Sequence, residues 1–139
     1  MNETNAGAPE PLLEWHRIIR DRDLAQLQSL LAKDVCFHSP IVHKPQRGRD
    51  IATIYLTAAC HILLNDSFRY VKEVVSDQNA ALEFMVEIEG VEVNGVDLIH
   101  WNERGNIDDF KVMLRPLQAI ELVHRKMREM LEASQASQQ

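Results

Sequence analysis

The apolar residues of this chain change their spacing once, and that change restricts the folds open to it. From Leu12 to Ile62 they recur at intervals of three and four, whereas from Phe68 to Leu114 they alternate with polar residues. The first spacing is that of a helix with one buried face, the second that of a strand with one buried face. Helices first and hairpin-connected strands afterwards make an α+β layer arrangement. A chain of 139 residues is the size of one domain with one core. No repeat of solenoid or propeller length runs through it.

The spacing places the elements. Leu12, Trp15 and Ile19 share one face of a first helix, and Asp21 and Asp23 can cap a second carrying Leu24, Leu27, Leu30 and Leu31. Val35, Cys36 and Phe37 form a short strand ended by Ser39 and Pro40, and a loop with Pro45 leads to Gly48. Ile51, Ile54, Tyr55, Ala58 and Ile62 then give a third amphipathic helix that stops at Asn65 and Asp66. Strands follow over 68–75, 82–88, up to Trp101, and 107–114; Pro116 suits the first residue of a closing helix with Leu117, Ile120, His124, Met127 and Leu131 on one face. Either Glu89-Gly90 or Asn94-Gly95 could turn the central hairpin, Asn-Gly being the stronger local signal. Residues 1–10 and 134–139 are polar or small and read as tails, leaving a domain over 11–133.

Charge and cysteine use narrow the functional classes. Fifteen Lys and Arg against 21 Asp and Glu give a formal net charge of -6, with the basic residues scattered. A nucleic-acid partner or an anionic membrane surface would demand a basic face. Cys36 and Cys60 stand far apart and outside any Cys-x-x-Cys pair, as reduced thiols do. No apolar run reaches the length of a membrane span, and no signal or transit pattern opens the chain, so a cytoplasmic location is expected. His38 and His43 lie outside the short paired spacings typical of zinc sites, so neither a metal nor a cofactor is expected.

Three stretches then carry a resemblance: Asp34-Val35-Cys36-Phe37-His38-Ser39-Pro40 ahead of Gly48, Gly95-Val96-Asp97-Leu98-Ile99-His100-Trp101, and Ile107-Asp108-Asp109-Phe110-Lys111-Val112-Met113-Leu114-Arg115-Pro116. With the element order, they make residues 11–116 similar to the nuclear transport factor 2-like superfamily, and more narrowly to its SnoaL-like members. The resemblance implies a cone-shaped, curved antiparallel sheet packed against three N-terminal helices around a cavity, with an additional C-terminal helix. It selects Glu89-Gly90 as the hairpin turn, with Asn94-Gly95 as a bulge. It also turns Leu82, Phe84, Val86, Ile88, Asp97, Ile99, Trp101, Phe110, Val112 and Leu114 inward, and Glu83, Met85, Glu87, Leu98, His100, Asp109, Lys111 and Met113 outward.

Asp97 is the foremost catalytic candidate, an ionisable group alternating with apolar Ile99 and Trp101, where burial would raise its pKa. It matches the acid that in ketosteroid isomerases stays neutral and donates a hydrogen bond to an oxyanion. A register shifted by one residue would instead leave it a strand aspartate without chemistry. By the same matching the isomerase base becomes Ser39, its helix-one tyrosine becomes Trp15, and the arginine of limonene epoxide hydrolases becomes Gly95, so both known reactions lack partners here. His38 is a second candidate, as a base or an orienting donor, against the role of a surface histidine. Trp15, Ser39, Tyr55, Phe84, Val86, Ile99, Trp101, Phe110, Val112 and Leu114 are the expected pocket wall, with Tyr55 either core or pocket. Two functions follow: an acid–base enzyme of isomerase, cyclase or lyase type acting on an apolar carbonyl compound, or a non-catalytic ligand-binding or dimerisation module. The outward set, with Met85, Leu98 and Met113 among charges, is expected to form a homodimer, as that face does in many relatives; the closing helix is the rival interface.

Overall fold

A computed structural model describes residues 9–137, with side chains through 133; of the expected tails 1–10 and 134–139, residues 1–8 and 138–139 lie outside the described residues. Pro9 and Pro11 bracket the start of α1 (Glu10–Asp21), which buries Leu12, Trp15, Ile18 and Ile19 and ends at Arg22 in the left-handed region, φ 57°. A single 3-10 turn (Leu24–Gln26) and a one-turn helix, α2 (Leu27–Leu30), bring the chain to β1 (Leu31–His38). The expected second helix is therefore shorter, and the strand begins at Leu31 rather than Val35. Pairing of Leu31 with Ile107 far along the chain decides this, since cross-strand partners outweigh a local helical leucine spacing.

A two-residue strand, β2 (Gln46–Arg47), edges β1 within what spacing suggests is loop, and Gly48 at φ 103° turns the chain into α3 (Arg49–Leu63). The meander follows as β3 (Arg69–Ser76), β4 (Asn79–Ile88), β5 (Val91–Trp101) and β6 (Ile107–Arg115), and α4 (Leu117–Ser137) closes the fold, running past the expected boundary at 133. Pro116 stands just before α4 rather than as its first residue. One six-stranded sheet has the order β2-β1-β6-β5-β4-β3. It is mixed, not wholly antiparallel as expected: β1 runs parallel to β6, while every other pair is antiparallel.

The hairpin between β4 and β5 turns at Glu89 and Gly90, φ 51° and 79°, both in the left-handed region that a two-residue turn of this hand requires. Asn94-Gly95 is not a bulge: Met85 faces Asn94 and Phe84 faces Gly95 in unbroken register. Gly95 is needed because a Cβ there would overlap the Phe84 ring and a Leu114 methyl. The irregularity in this part of the sheet falls between β5 and β6, where His100 faces Asp109 and Trp101 faces Ile107, leaving Asp108 over.

Alternation along β4 and β5 sends Leu82, Phe84, Val86, Val93, Ile99 and Trp101 into the core, against the buried faces of α1, α3 and α4. α3 turns inward Ala52, Leu56, Ala59, Cys60 and Leu63, whereas Ile51 and Ile54, expected on the core face, are 39% and 50% exposed. This helix is apolar nearly all round, so its spacing alone did not identify the buried stripe. Among the described residues no helix is long and apolar enough to cross a membrane.

Candidate functional site

Among the described residues, the inner face of the sheet carries one buried ionisable carboxyl. Asp97, in the middle of β5, is 6% exposed amid apolar neighbours. Its carboxylate Oδ2 accepts a hydrogen bond of 2.7 Å from the Tyr70 hydroxyl on β3, and the Tyr70 oxygen accepts one of 2.9 Å from the Trp15 indole N–H on α1. The direction of this chain is fixed by chemistry. An indole nitrogen can only donate, so the Tyr70 oxygen must accept there and point its proton at Asp97.

Low local dielectric sets the ionisation of these groups. Burial pushes the Asp97 carboxyl up to about 7, with the Tyr70 hydrogen bond pulling partly the other way. Burial, with the Asp97 charge beside it, holds the Tyr70 phenol well above its ordinary value, so Tyr70 stays protonated as donor. Burial likewise pushes the Cys60 thiol up to about 12, and it is inert as a nucleophile. Near neutrality the site therefore contains one acid divided between its two protonation states, and two groups that remain neutral.

Around Asp97 lies a cavity of about 20 Å³ walled by Trp15 and Ile19 of α1, Leu56 and Cys60 of α3, and Phe68, Phe84, Phe110 and Val112. The aromatic groups lock one another: Trp15 lies 4.9 Å from Phe110, and Phe68 stacks on Phe84 at 5.2 Å and meets Tyr70 edge-on at 5.1 Å. A space of that size holds one water-sized group.

Of the expected wall, Trp15, Phe84, Phe110 and Val112 meet around Asp97. Val86, Ile99 and Trp101 are buried on the same inner face without lining the cavity, and Leu114 is half-buried against Gly95. Ser39 and Tyr55 are elsewhere, in a groove of about 430 Å³ between α3 and α4 that also carries Ile41, Ile54, His124 and Met127. His38 is on the outer face, its Nε2 3.0 Å from Asp109 Oδ1, remote from Asp97's side of the sheet. Sequence reasoning left Ile19, Leu56, Cys60 and Phe68 out of the cavity wall, and the polar residue it missed is Tyr70. Its signal was the alternation Phe68-x-Tyr70 at the head of β3, together with the need of any buried carboxylate for a donor.

No family model matches this chain, and no curated protein does. Among solved structures it is similar to a steroid delta-isomerase from Pseudomonas aeruginosa, at 33% identity and a TM-score of 0.86 over 91% of this chain and 92% of that one. An uncharacterized protein with a cystatin-like fold from Silicibacter pomeroyi matches at 28% identity and 0.84, covering 93% and 90% of the two chains. A protein with a ketosteroid isomerase-like fold from Catenulispora acidiphila, crystallised with trimethylamine, matches at 15% identity and 0.61 over 81% and 90%, a likeness of fold alone.

Proposed function

We propose that this chain, which belongs to the nuclear transport factor 2-like superfamily, is a SnoaL-like small-molecule pocket protein in which Asp97 exchanges a proton with an apolar, carbonyl-bearing ligand. The observation that carries this is a lone carboxyl group with a pKa raised to about 7, in an apolar cavity, aimed by a tyrosine that cannot itself ionise. Protonated, Asp97 donates to a carbonyl oxygen and favours its enol; ionised, it accepts a proton from the neighbouring carbon. Both forms coexist near neutral pH. The likeness to a protein named steroid delta-isomerase supports this class of chemistry.

A ligand larger than water needs a wider cavity than this one, and displacement of α1, α3 or the Phe68–Tyr70 edge, all of which contribute wall residues, would widen it. Carbon-13 NMR of the Asp97 carboxyl, with and without a hydrophobic cyclic enone as probe, tests the reading. A midpoint near 7 that moves on addition of the enone supports it, and a midpoint near the ordinary 3.8 of an aspartate removes its basis.

A second reading, the non-catalytic ligand-binding or dimerisation module, is favoured by a specific observation. The groove between α3 and α4 is within the usual size range of ligand pockets, the cavity around Asp97 is far below it, and the groove contains Ser39 and Tyr55. Ile54→Asp, in the groove, and Asp97→Asn separate the two: whichever abolishes enone binding identifies the site.

We further propose a cytoplasmic homodimer joined through the outer face of the sheet. Met85, Leu98 and Met113 stand there, and Val74, Ala81, Val96 and Met113 line a shallow hollow on it. On the rival α4 face Met127 is buried against its own chain, which leaves Leu117 as its exposed large apolar residue among those described. A monomer in sedimentation at micromolar concentration, or a persistent dimer in the Met85→Lys, Met113→Lys double variant, overturns the sheet-face dimer.

A further inference from the structure

We propose that Cys36, His38 and Asp109 form a binding site for a divalent ion of the zinc class on the outer face of the sheet. Alternation along β1 buries Val35 and Phe37, and so turns Cys36 and His38 together to the opposite face. The parallel pairing of β1 with β6 sets Asp109 directly across from Cys36. A thiol sulfur, an imidazole nitrogen and a carboxylate oxygen thereby come to lie within 4.8 Å of one another.

The donor set selects the ion. Sulfur and imidazole suit zinc and its tetrahedral neighbours, whereas magnesium and calcium take oxygen donors. A thiolate and a carboxylate together neutralise a dication, and metal binding releases the thiol proton. His38 and Asp109 are already 3.0 Å apart, so the ion takes the place of the proton between them. Three protein donors leave the fourth tetrahedral position to water, the composition of an open zinc site.

The surroundings support and limit the site. His100 faces Asp109 across β5 and β6, and its Nδ1 is 2.5 Å from Asp108 Oδ1, so the left-over residue of the irregular pairing anchors a second histidine beside the cluster. Arg47 opposite Cys36 and Lys111 opposite His38 bring two positive charges to its edges, against which Asp108 is the neighbouring acid outside the donor set. Spacing alone could not reveal such a site, because Cys-x-His is a strand interval and the third donor comes from 71 residues beyond His38.

The test uses the full chain, stripped with a chelator and titrated with Co²⁺ and then Zn²⁺. One equivalent of cobalt per chain is expected, with thiolate-to-cobalt charge-transfer absorption and tetrahedral visible bands that Zn²⁺ displaces. Cys36→Ser is expected to abolish the charge-transfer band. His38→Ala and Asp109→Asn each lower zinc affinity by more than about tenfold, the scale on which even outer-shell partners count. Cys60→Ser and Asp97→Asn bind as the parent does, which keeps this site separate from the inner cavity. The absence of a one-equivalent cobalt complex in the parent chain overturns the proposal, as does a charge-transfer band that survives Cys36→Ser or disappears only with Cys60→Ser. Unchanged zinc affinity in His38→Ala overturns it as well. Circular dichroism of each variant verifies that the fold is kept.

Discussion

The two faces of the sheet hold their ionisable groups in opposite ways. On the inner face a single carboxyl is sealed among aromatic rings, meets one neutral donor, and has its protonation decided by lost hydration. On the outer face His38 with Asp109 and His100 with Asp108 stand half-exposed as complementary pairs. Water screens the outer groups and is largely excluded from the inner one, so the same residue type, aspartate, is raised in pKa by burial at 97 and paired with a half-exposed histidine at 108 and 109. Burial in a strand of fixed register, rather than residue identity, sets the protonation.

The strongest way to break this contrast is to open the inner face. Trp15→Ala removes a 2%-exposed indole and the donor that aims Tyr70, and is expected to cost about 3–5 kcal/mol in chemical denaturation. A loss below 1 kcal/mol would mean that the ring wall does not hold the cavity.

Asp97→Asn comes next and has a sign that depends on pH. Between pH 3.8 and about 7 the folded chain retains a proton that the unfolded chain has released, so parent stability falls as pH rises through that window and levels off above it. The amide cannot ionise but still accepts from Tyr70. The variant should therefore be more stable than the parent at pH 8, by up to about 4 kcal/mol, and nearly equal to it at pH 4. Parallel stability–pH curves for the two proteins refute a buried, titrating Asp97.

Tyr70→Phe is a smaller change, expected to cost about 1–3 kcal/mol because the Trp15 N–H and the Asp97 carboxyl both lose a partner. It should also move the Asp97 midpoint further above 7, since the Tyr70 hydrogen bond acts to lower it. A midpoint that falls instead means that Tyr70 does not hold the carboxylate. The smallest effect belongs to the outer face, where Asp108→Asn breaks a half-exposed pair with His100 and should change stability by less than about 1 kcal/mol. A larger loss there would erase the distinction between the faces.

Much of the inner face was legible from alternation. Asp97-x-Ile99-x-Trp101 gave the expected side of the acid, with a slip of one residue as the alternative that the pairing of β5 with β4 excludes, and Leu82, Phe84, Val86 and Ile88 marked the inner face of the opposing strand. Tyr70 was harder to read because β3 is an edge strand whose Val71, Val74 and Val75 are exposed, so its own pattern does not mark one face as buried. The α3 stripe was read in part: Ala58 and Ile62 are buried as expected, but Ile51, Ile54 and Tyr55 line the groove while Ala52, Leu56 and Ala59 face the core; both stripes are apolar, and only tertiary packing separates them. The inward placement of Ser39 failed for a related reason: beyond Phe37 the strand ends at His38, and the chain leaves the sheet. The parallel partnership of β1 leaves no local trace at all, since neither strand's composition records what lies beside it.

That partnership also orders the way the molecule can be assembled. β3, β4 and β5 are joined by short turns and can zip together from neighbouring residues, but β1 gains its main neighbour only when β6, some 70 positions later, has been made and has settled against β5. Until then the first strand has only the two-residue β2 beside it, and α1 has no finished sheet to cover. Closing so long a loop is the entropically expensive step, and it is also the step that brings Asp109 to Cys36 and His38. A nascent chain released before residue 107 would hold two of the three outer donors and a sheet lacking β6, so completion of that cluster coincides with completion of the fold.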